Sequence, residues 1–181
     1  MKKAGEAMRT DRAVMTLAIA ALGGWLVSVM FCNWLFYNNI VNYEVLYRGV
    51  ADSWSRALSR GRSGKISLLL IRILQVGVAA GITRSRFRRA GSLILGAGCG
   101  FGSGLFLTLL VWSLGLPGGA VFLGAGFPQA LAYLPCIFVL LIGGYSGRPV
   151  QKDRLISVTV GLLAAGIWLE LYANPFFLKL F

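Results

Sequence analysis

The sequence predicts an all-α integral membrane protein, and two observations lead to that class. Of the 181 residues, 57% are hydrophobic and 13% are charged, whereas ordinary soluble domains carry about 25% charged residues. The apolar residues also gather into long runs, and a helix needs about 20 residues to cross a hydrocarbon layer of about 30 Å. Only helices and closed barrels satisfy their backbone in lipid, and the runs lack the alternation of barrel strands.

Five such runs predict five membrane-spanning helices. They cover residues 13–37, 66–82, 92–114, 119–145 and 155–179. Together they account for most of the chain and leave no room for a soluble domain. We therefore treat residues 1–181 as a single integral membrane domain, which places the protein in the cell membrane as a multi-pass protein.

The basic residues predict the orientation of these spans. The formal net charge is +12, and the link of residues 114–119 between the third and fourth spans carries no charge. By the positive-inside rule, the basic clusters lie in the cytoplasm, so the N-terminus is inside and the C-terminus outside. This explanation also removes the need for a nucleic-acid partner. The clusters before the first span, after the second and before the fifth are Lys2, Lys3, Arg9 and Arg12; Arg84, Arg86, Arg88 and Arg89; and Arg148, Lys152 and Arg154.

The loop of residues 38–65 should lie outside, although it is basic. Its apolar residues recur at helical spacing, with Glu44 in the first turn and Gly61 in a position to end the helix. This pattern predicts an amphipathic helix on the outer membrane surface, in contact with anionic lipid headgroups. A solvated linker is the alternative. The residues on the apolar face are Tyr43, Leu46, Tyr47, Val50, Trp54, Ala57 and Leu58.

The residue composition allows few kinds of catalytic or metal-binding site. It has no histidine and only six acidic residues, which removes histidine-based triads and the HExxH type of zinc site. The acidic residues form no pair close in sequence. We therefore expect no catalytic residue, no metal and no cofactor.

A ladder of glycines lies in the third predicted span. Gly96, Gly100 and Gly104 are four residues apart, as are Gly98 and Gly102. The ladder does not fit the dinucleotide motif GxGxxG. It predicts two smooth faces on which other helices can approach closely, with a ligand site as the alternative.

Two charged residues lie inside predicted spans, Arg72 and Glu170. A carboxylate at membrane depth costs about 2.5–3.5 kcal/mol on insertion scales. Arg72 lies roughly 15 Å, and Glu170 roughly 22 Å, above the inner ends of their spans, at 1.5 Å per residue. Both fall in the outer half, so we predict an ion pair that joins the second and fifth spans. Snorkelling of each charge to the interface is the alternative, and a proton relay is less favoured because no polar path surrounds the carboxylate.

The fourth predicted span contains Pro128, Gln129 and Pro135. We expect the prolines to break the helix at two points, and the Gln129 amide to satisfy backbone carbonyls that they free. A transporter-like broken helix with a substrate site is the alternative. Near the end of the chain, Pro175 is expected to bend or end the last helix, five residues after Glu170.

These features occur in an order that resembles the stage II sporulation protein M family of endospore-forming bacteria. The glycine-rich span GSLILGAGCGFGSGLF is followed by the link LGLPGG, the span FPQALAYLP and the ending LELYANPFFLKLF. The resemblance is best over residues 91–181. It implies a non-enzymatic protein of the septal and engulfing membrane that gathers peptidoglycan-degrading partner proteins. Those partners would bind to the outer loop, to the link between the third and fourth spans and to the C-terminus.

The residues leave a second functional hypothesis open. In a small transporter or permease subunit, Arg72, Pro128, Gln129 and Glu170 would line a path. Such a path should place several polar groups on facing helices, whereas this chain offers few polar residues within its spans. The scaffold hypothesis is therefore preferred, and the sequence does not give the oligomeric state.

Overall fold

The computed structural model describes residues 2–49, 52, 61–146 and 152–170. Within these ranges, the side chains of residues 2–10, 61–65, 68, 125–129 and 152–156 lie outside the description. The described residues form helices joined by short turns and contain no strand, so the all-α prediction is confirmed. The helices are α1 (Lys2–Tyr37), α2 (described over residues 43–49), α3 (Gly61–Arg84), α4 (Arg88–Leu114), α5 (Pro117–Ser146) and α6 (Lys152–Trp168).

Two helical segments of the described chain are long and apolar enough to cross a membrane, Asp11–Tyr37 and Arg88–Leu114. The predicted spans 13–37, 66–82, 92–114 and 119–145 fall inside α1, α3, α4 and α5. The fifth predicted span, 155–179, begins inside α6. It is described only as far as Glu170, so Pro175 lies outside the described residues.

One glycine face of α4 is packed against α1, as the spacing predicts. Gly96, Gly100 and Gly104 are all buried. A Cβ added at Gly100 would overlap the backbone carbonyl of Ala21, and one added at Gly104 would lie 2.7 Å from the carbonyl oxygen of Trp25. The two backbones therefore approach closely because glycine has no side chain, the arrangement expected of small residues at helix interfaces in membranes.

The second glycine face of α4 does not pack against a helix. A Cβ added at Gly98 or Gly102 would meet no atom within 4 Å, and both residues are exposed. The prediction of two packed faces is wrong for this one. Helix α1 covers the face of α4 that contains Gly100. Helix α3 does not contact Gly98 or Gly102, so a groove remains between α3 and α4.

Contacts between helices give their relative directions. Ala21 of α1 lies against Gly100 of α4, and Asn33 lies against Trp112 further along both helices, so α1 and α4 are parallel. The Phe106 ring of α4 lies beside the Phe122 ring of α5, and Leu110 lies against Gly118, so these two helices are antiparallel.

Contacts with α5 give the directions of α3 and α6 in the same way. Arg72 of α3 lies beside Tyr133 of α5, and Thr83 lies against Gly144, so α3 and α5 are parallel. Tyr133 lies against Gly166 of α6, whereas the later Cys136 contacts the earlier Thr159, so α5 and α6 are antiparallel. Helices α1, α4 and α6 thus run one way, and α3 and α5 run the other.

The prolines of α5 do not break it. The helix is continuous from Pro117 to Ser146, including positions 128 and 135, so the expected breaks are wrong. Each proline lacks only its own N–H and withdraws one hydrogen bond from the carbonyl four residues earlier. The rest of the ladder, together with packing against α4 and α6, keeps the helix intact. The Pro128 and Gln129 side chains lie outside the description, so the role expected of Gln129 stays a prediction.

The described part of α2 folds back onto the ends of α1 and α4. The Asn42 side-chain oxygen begins the helix by accepting hydrogen bonds from the backbone N–H groups of Glu44 at 2.9 Å and Val45 at 3.4 Å. Tyr43 and Tyr47 pack against a buried cluster of Cys32, Phe36 and Leu109.

The rest of the predicted amphipathic helix, residues 50–51 and 53–60, falls outside the described chain. Gly61 was expected to end that helix, but it begins α3, so residues 61–65 of the predicted loop belong to α3.

Candidate functional site

The expected ion pair between Arg72 and Glu170 is present. The Arg72 Nε donates to Glu170 Oε2 at 2.8 Å, and its Nη2 donates to Oε1 at 2.5 Å. The two side chains are 28% and 11% exposed. Two parallel hydrogen bonds between a guanidinium and a carboxylate give the pair a fixed geometry as well as charge attraction. The pair therefore joins α3 to the helical turn that continues α6 beyond Trp168.

A third helix contributes Tyr133, which the sequence reasoning missed. Its hydroxyl donates to Glu170 Oε2 at 2.8 Å, and the Arg72 guanidinium carbon lies 5.1 Å from the centre of its ring. A cation over an aromatic face is attracted by the ring's negative potential. Tyr133 could have been noticed as a hydroxyl within an otherwise apolar stretch of α5, LAYLP.

Gly166 of α6 makes room for the Tyr133 ring. A Cβ added at Gly166 would lie 2.7 Å from Cδ1 and 2.9 Å from Cζ of that ring, closer than real side chains approach. The glycine thus allows α6 to lie directly against α5. This close approach brings Glu170 within reach of the tyrosine hydroxyl.

Gln75 completes the cluster from the next turn of α3. Arg72 Nη1 donates to Gln75 Oε1 at 2.9 Å. The Glu170 carboxylate accepts three hydrogen bonds, two from Arg72 and one from Tyr133. These donors engage the lone pairs of the carboxylate and hold its two oxygens in a fixed position. The arrangement can hold three helices together.

Among the described residues, no three His, Cys, Asp or Glu side chains lie close enough to hold a metal ion. The predicted interaction residues Gly96, Gly100 and Gly104 lie at the α1 interface, away from the Arg72 cluster. The described ranges thus contain two separate features: a glycine interface and an ionic cluster.

A hydrogen bond between α1 and α4 is a second polar contact that the sequence did not predict. The Trp112 indole nitrogen of α4 donates to Asn33 Oδ1 of α1 at 2.6 Å. The Trp112 ring lies 5.8 Å from Phe36 and 5.6 Å from Tyr43, measured between ring centres. This link fixes the register of α1 and α4 at the end of the bundle where α2 packs.

A groove lies between α3 and α4, with α5 and α6 behind it. Its volume is about 650 Å³, and its wall is mainly apolar, with Arg72, Gln75 and Tyr133 among the polar exceptions. Glu170 is not in its lining. The remaining lining residues are Leu74, Val76, Val78, Ala79, Leu95, Gly98, Cys99, Gly102, Ser103, Ile137 and Leu163.

Comparisons with family models, with curated proteins and with solved structures found no match to this chain. Function is therefore inferred from the residues and geometry above and from the resemblance carried by the sequence motifs.

Proposed function

We propose that the chain is a non-catalytic membrane scaffold that crosses the membrane five times. The observation that carries this proposal is the closed ionic cluster of Arg72, Tyr133 and Glu170. Its charges are neutralised and hydrogen-bonded across three helices, so its chemistry is suited to holding a bundle together. A buried pair of this kind is strongly destabilising to break, because one partner left alone is an uncompensated charge.

The outward-facing side chains support the five crossings. Large apolar residues are exposed along several helices, including Met30 on α1, Leu74 on α3, Ile94 on α4 and Leu131 on α5. Soluble monomers rarely expose apolar surface on this scale, whereas lipid covers it without cost. The alternating helix directions fit a serpentine path, and the basic clusters favour an N-terminus inside and a C-terminus outside.

The proposed partners are proteins that degrade peptidoglycan, as the resemblance to the stage II sporulation protein M family implies. They would dock on the outer end of the bundle, at the septal or engulfing membrane of a sporulating cell. In the proposed orientation, the turn between α4 and α5 would lie at that end, and it carries Leu116, which is 91% exposed. An apolar side chain beyond the helix ends is a natural anchor for a protein partner.

Co-purification of the full chain from its native membranes tests this role. We expect cell-wall hydrolases to co-purify with the parent chain, and Leu116→Asp to reduce their recovery. Phe87→Asp is the matched control, because Phe87 is also highly exposed, at 74%, but lies in the turn at the opposite end. Equal recovery of hydrolases with both variants would contradict docking at the outer end, and recovery of none with the parent chain would reject the scaffold role.

A small transporter or permease subunit is the second candidate, and the groove between α3 and α4 favours it. Arg72, Gln75 and Tyr133 are among the polar side chains that line that groove within the bundle. It ranks second because the rest of the wall is mainly apolar and Glu170 does not line it. An ATPase subunit that co-purifies in place of hydrolases would reverse this order.

A further inference from the structure

Helix α3 carries an unpacked row of side chains on one side of the groove. The row follows the spacing i, i+3, i+4 and i+7 along one stripe of the helix, and its members are Ile71, Leu74, Gln75 and Val78. All four are exposed, and the apolar ones are 55%, 66% and 50% exposed in chain order. A stripe with this spacing is the pattern by which one helix packs against another.

The α4 wall of the groove is smooth at the same depth. A Cβ added at Gly98 or Gly102 would meet no atom within 4 Å. Leu74 lies ten residues before the end of α3 and Gly98 ten residues after the start of α4, so both lie about 15 Å from the turn that joins these helices. The protruding side chains and the smooth wall therefore face the same groove at one level, but they do not touch within one chain.

Gln75 adds an amide to this mainly apolar groove. It lies roughly 14 Å from Arg84 at the end of α3, at 1.5 Å per residue, which is well inside the proposed span. Its side-chain oxygen accepts one hydrogen bond from Arg72 and can accept a second. Within the described ranges its amide nitrogen has no acceptor, and an amide in hydrocarbon is costly without one. A neighbour that brings both a donor and an acceptor to this depth would satisfy it.

We propose that the groove is the interface of a homodimer, in which α3 of each copy lies against α3 and α4 of the other. A two-fold axis along the membrane normal brings the same surface of both copies together. That surface is self-complementary, because it carries both the protruding Leu74 and Val78 and the smooth glycine wall that receives them.

The two Gln75 side chains meet across the axis in this dimer. Each amide nitrogen donates to the free lone pair of the other amide oxygen, so one reciprocal pair satisfies both copies. A single polar pair within an apolar helix interface fixes the register of the helices. Small residues that allow close approach and amide hydrogen bonds between helices are the usual means of helix association in membranes.

The dimer rests on the proposed membrane crossing of α3 and not on the scaffold role. Dimer formation by a chain that recovers no hydrolase would reject the scaffold role alone. Hydrolase recovery by a chain that stays monomeric would reject the dimer alone. The two failures are therefore distinguishable.

Disulfide crosslinking of the full chain in its native membranes tests the interface. After the three cysteines are replaced by alanine, Val78→Cys should form a disulfide-linked dimer on mild oxidation, because residue 78 lies close to the two-fold axis. Leu26→Cys is the matched control, because Leu26 is 54% exposed on α1 and does not line the groove. It should stay monomeric. Coexpressed chains that carry Leu74→Cys and Gly98→Cys with different affinity tags should also join.

Substitutions that fill the groove or remove the amide should weaken the dimer. Gly102→Leu should lower the crosslinked fraction of Val78→Cys by about tenfold, which corresponds to about 1.4 kcal/mol. Gly23→Leu, at an equally open glycine of α1, should leave that fraction unchanged. Gln75→Leu keeps the size of the side chain and should lower the fraction by about threefold, which corresponds to about 0.6 kcal/mol for an interhelical hydrogen bond in a membrane.

Three results would overturn the dimer. The first is equal crosslinking of Val78→Cys and Leu26→Cys, which would indicate random collision. The second is an unchanged crosslinked fraction in both Gly102→Leu and Gln75→Leu, of which the second variant keeps the test valid if the first fails to fold. The third needs no cysteine substitution: two differently tagged copies of the parent chain that do not co-purify in mild detergent.

Discussion

Arg72 and Glu170 lie 98 positions apart in the chain and meet through two parallel hydrogen bonds. The pair joins α3 to the end of α6, and Tyr133 ties both to α5. In a low-dielectric surrounding, neither charge is stable without the other. This relationship links three helices through one pair of side chains, and we expect the pair to contribute to their assembly.

Reversal of the charges tests that dependence. Arg72→Glu and Glu170→Arg should each destabilise the bundle by about 3–5 kcal/mol, the usual cost of breaking a buried pair. The double variant should recover part of this loss because opposite charges again face each other. Thermal unfolding in a mild detergent measures the difference. A double variant no more stable than either single variant would show that the pair does not hold the helices.

The substitution Tyr133→Phe tests the contribution of the hydroxyl to stability separately from that of the ring. It removes the hydrogen bond to Glu170 and should cost about 1.5–3 kcal/mol, the range for hydrogen bonds to charged groups. The ring would still lie under Arg72 and against Gly166. Tyr133→Leu, which also removes the ring, should cost more in the same unfolding measurement. Equal costs for the two variants would mean that the hydroxyl carries the whole contribution of this side chain.

The two glycine faces of α4 should respond in opposite ways to alanine. Gly100→Ala places a methyl group on the Ala21 carbonyl, and overpacking of this kind costs about 1–3 kcal/mol. Gly98→Ala meets open space and should be neutral or stabilising, because alanine favours helix by about 1 kcal/mol over glycine. Unfolding curves of both variants against the parent check this difference. Similar losses in both would contradict the α1–α4 interface.

The proposed topology can be read by cysteine labelling in intact cells. After Cys32, Cys99 and Cys136 are replaced by alanine, Leu116→Cys should react with a membrane-impermeant maleimide from outside. Phe87→Cys should react only after the membrane is permeabilised, because the proposed topology puts its arginine-rich turn in the cytoplasm. Labelling of both positions in intact cells, or the reverse pattern, would contradict the orientation.

Part of the candidate site was predictable from the sequence. Charged residues within apolar runs are few, so Arg72 and Glu170 stood out, and the helix rise alone placed them at compatible depths. Tyr133 and Gln75 were not predictable in the same way. Tyrosine and glutamine carry no charge, so they stand out less than Arg72 and Glu170 within an apolar run, and nothing in their spacing shows which helix faces them.

The sequence by itself determined the helical class, the positions of the apolar helices and the close packing at Gly100. These follow from hydrophobic run length and from the absence of a side chain, which are local properties. Only the tertiary structure decided that α5 continues through its prolines, that Gly98 and Gly102 line a groove, and that Tyr133 completes the Arg72–Glu170 pair. Each of these depends on which neighbouring helix fills the space, and that is settled by packing between residues far apart in the chain.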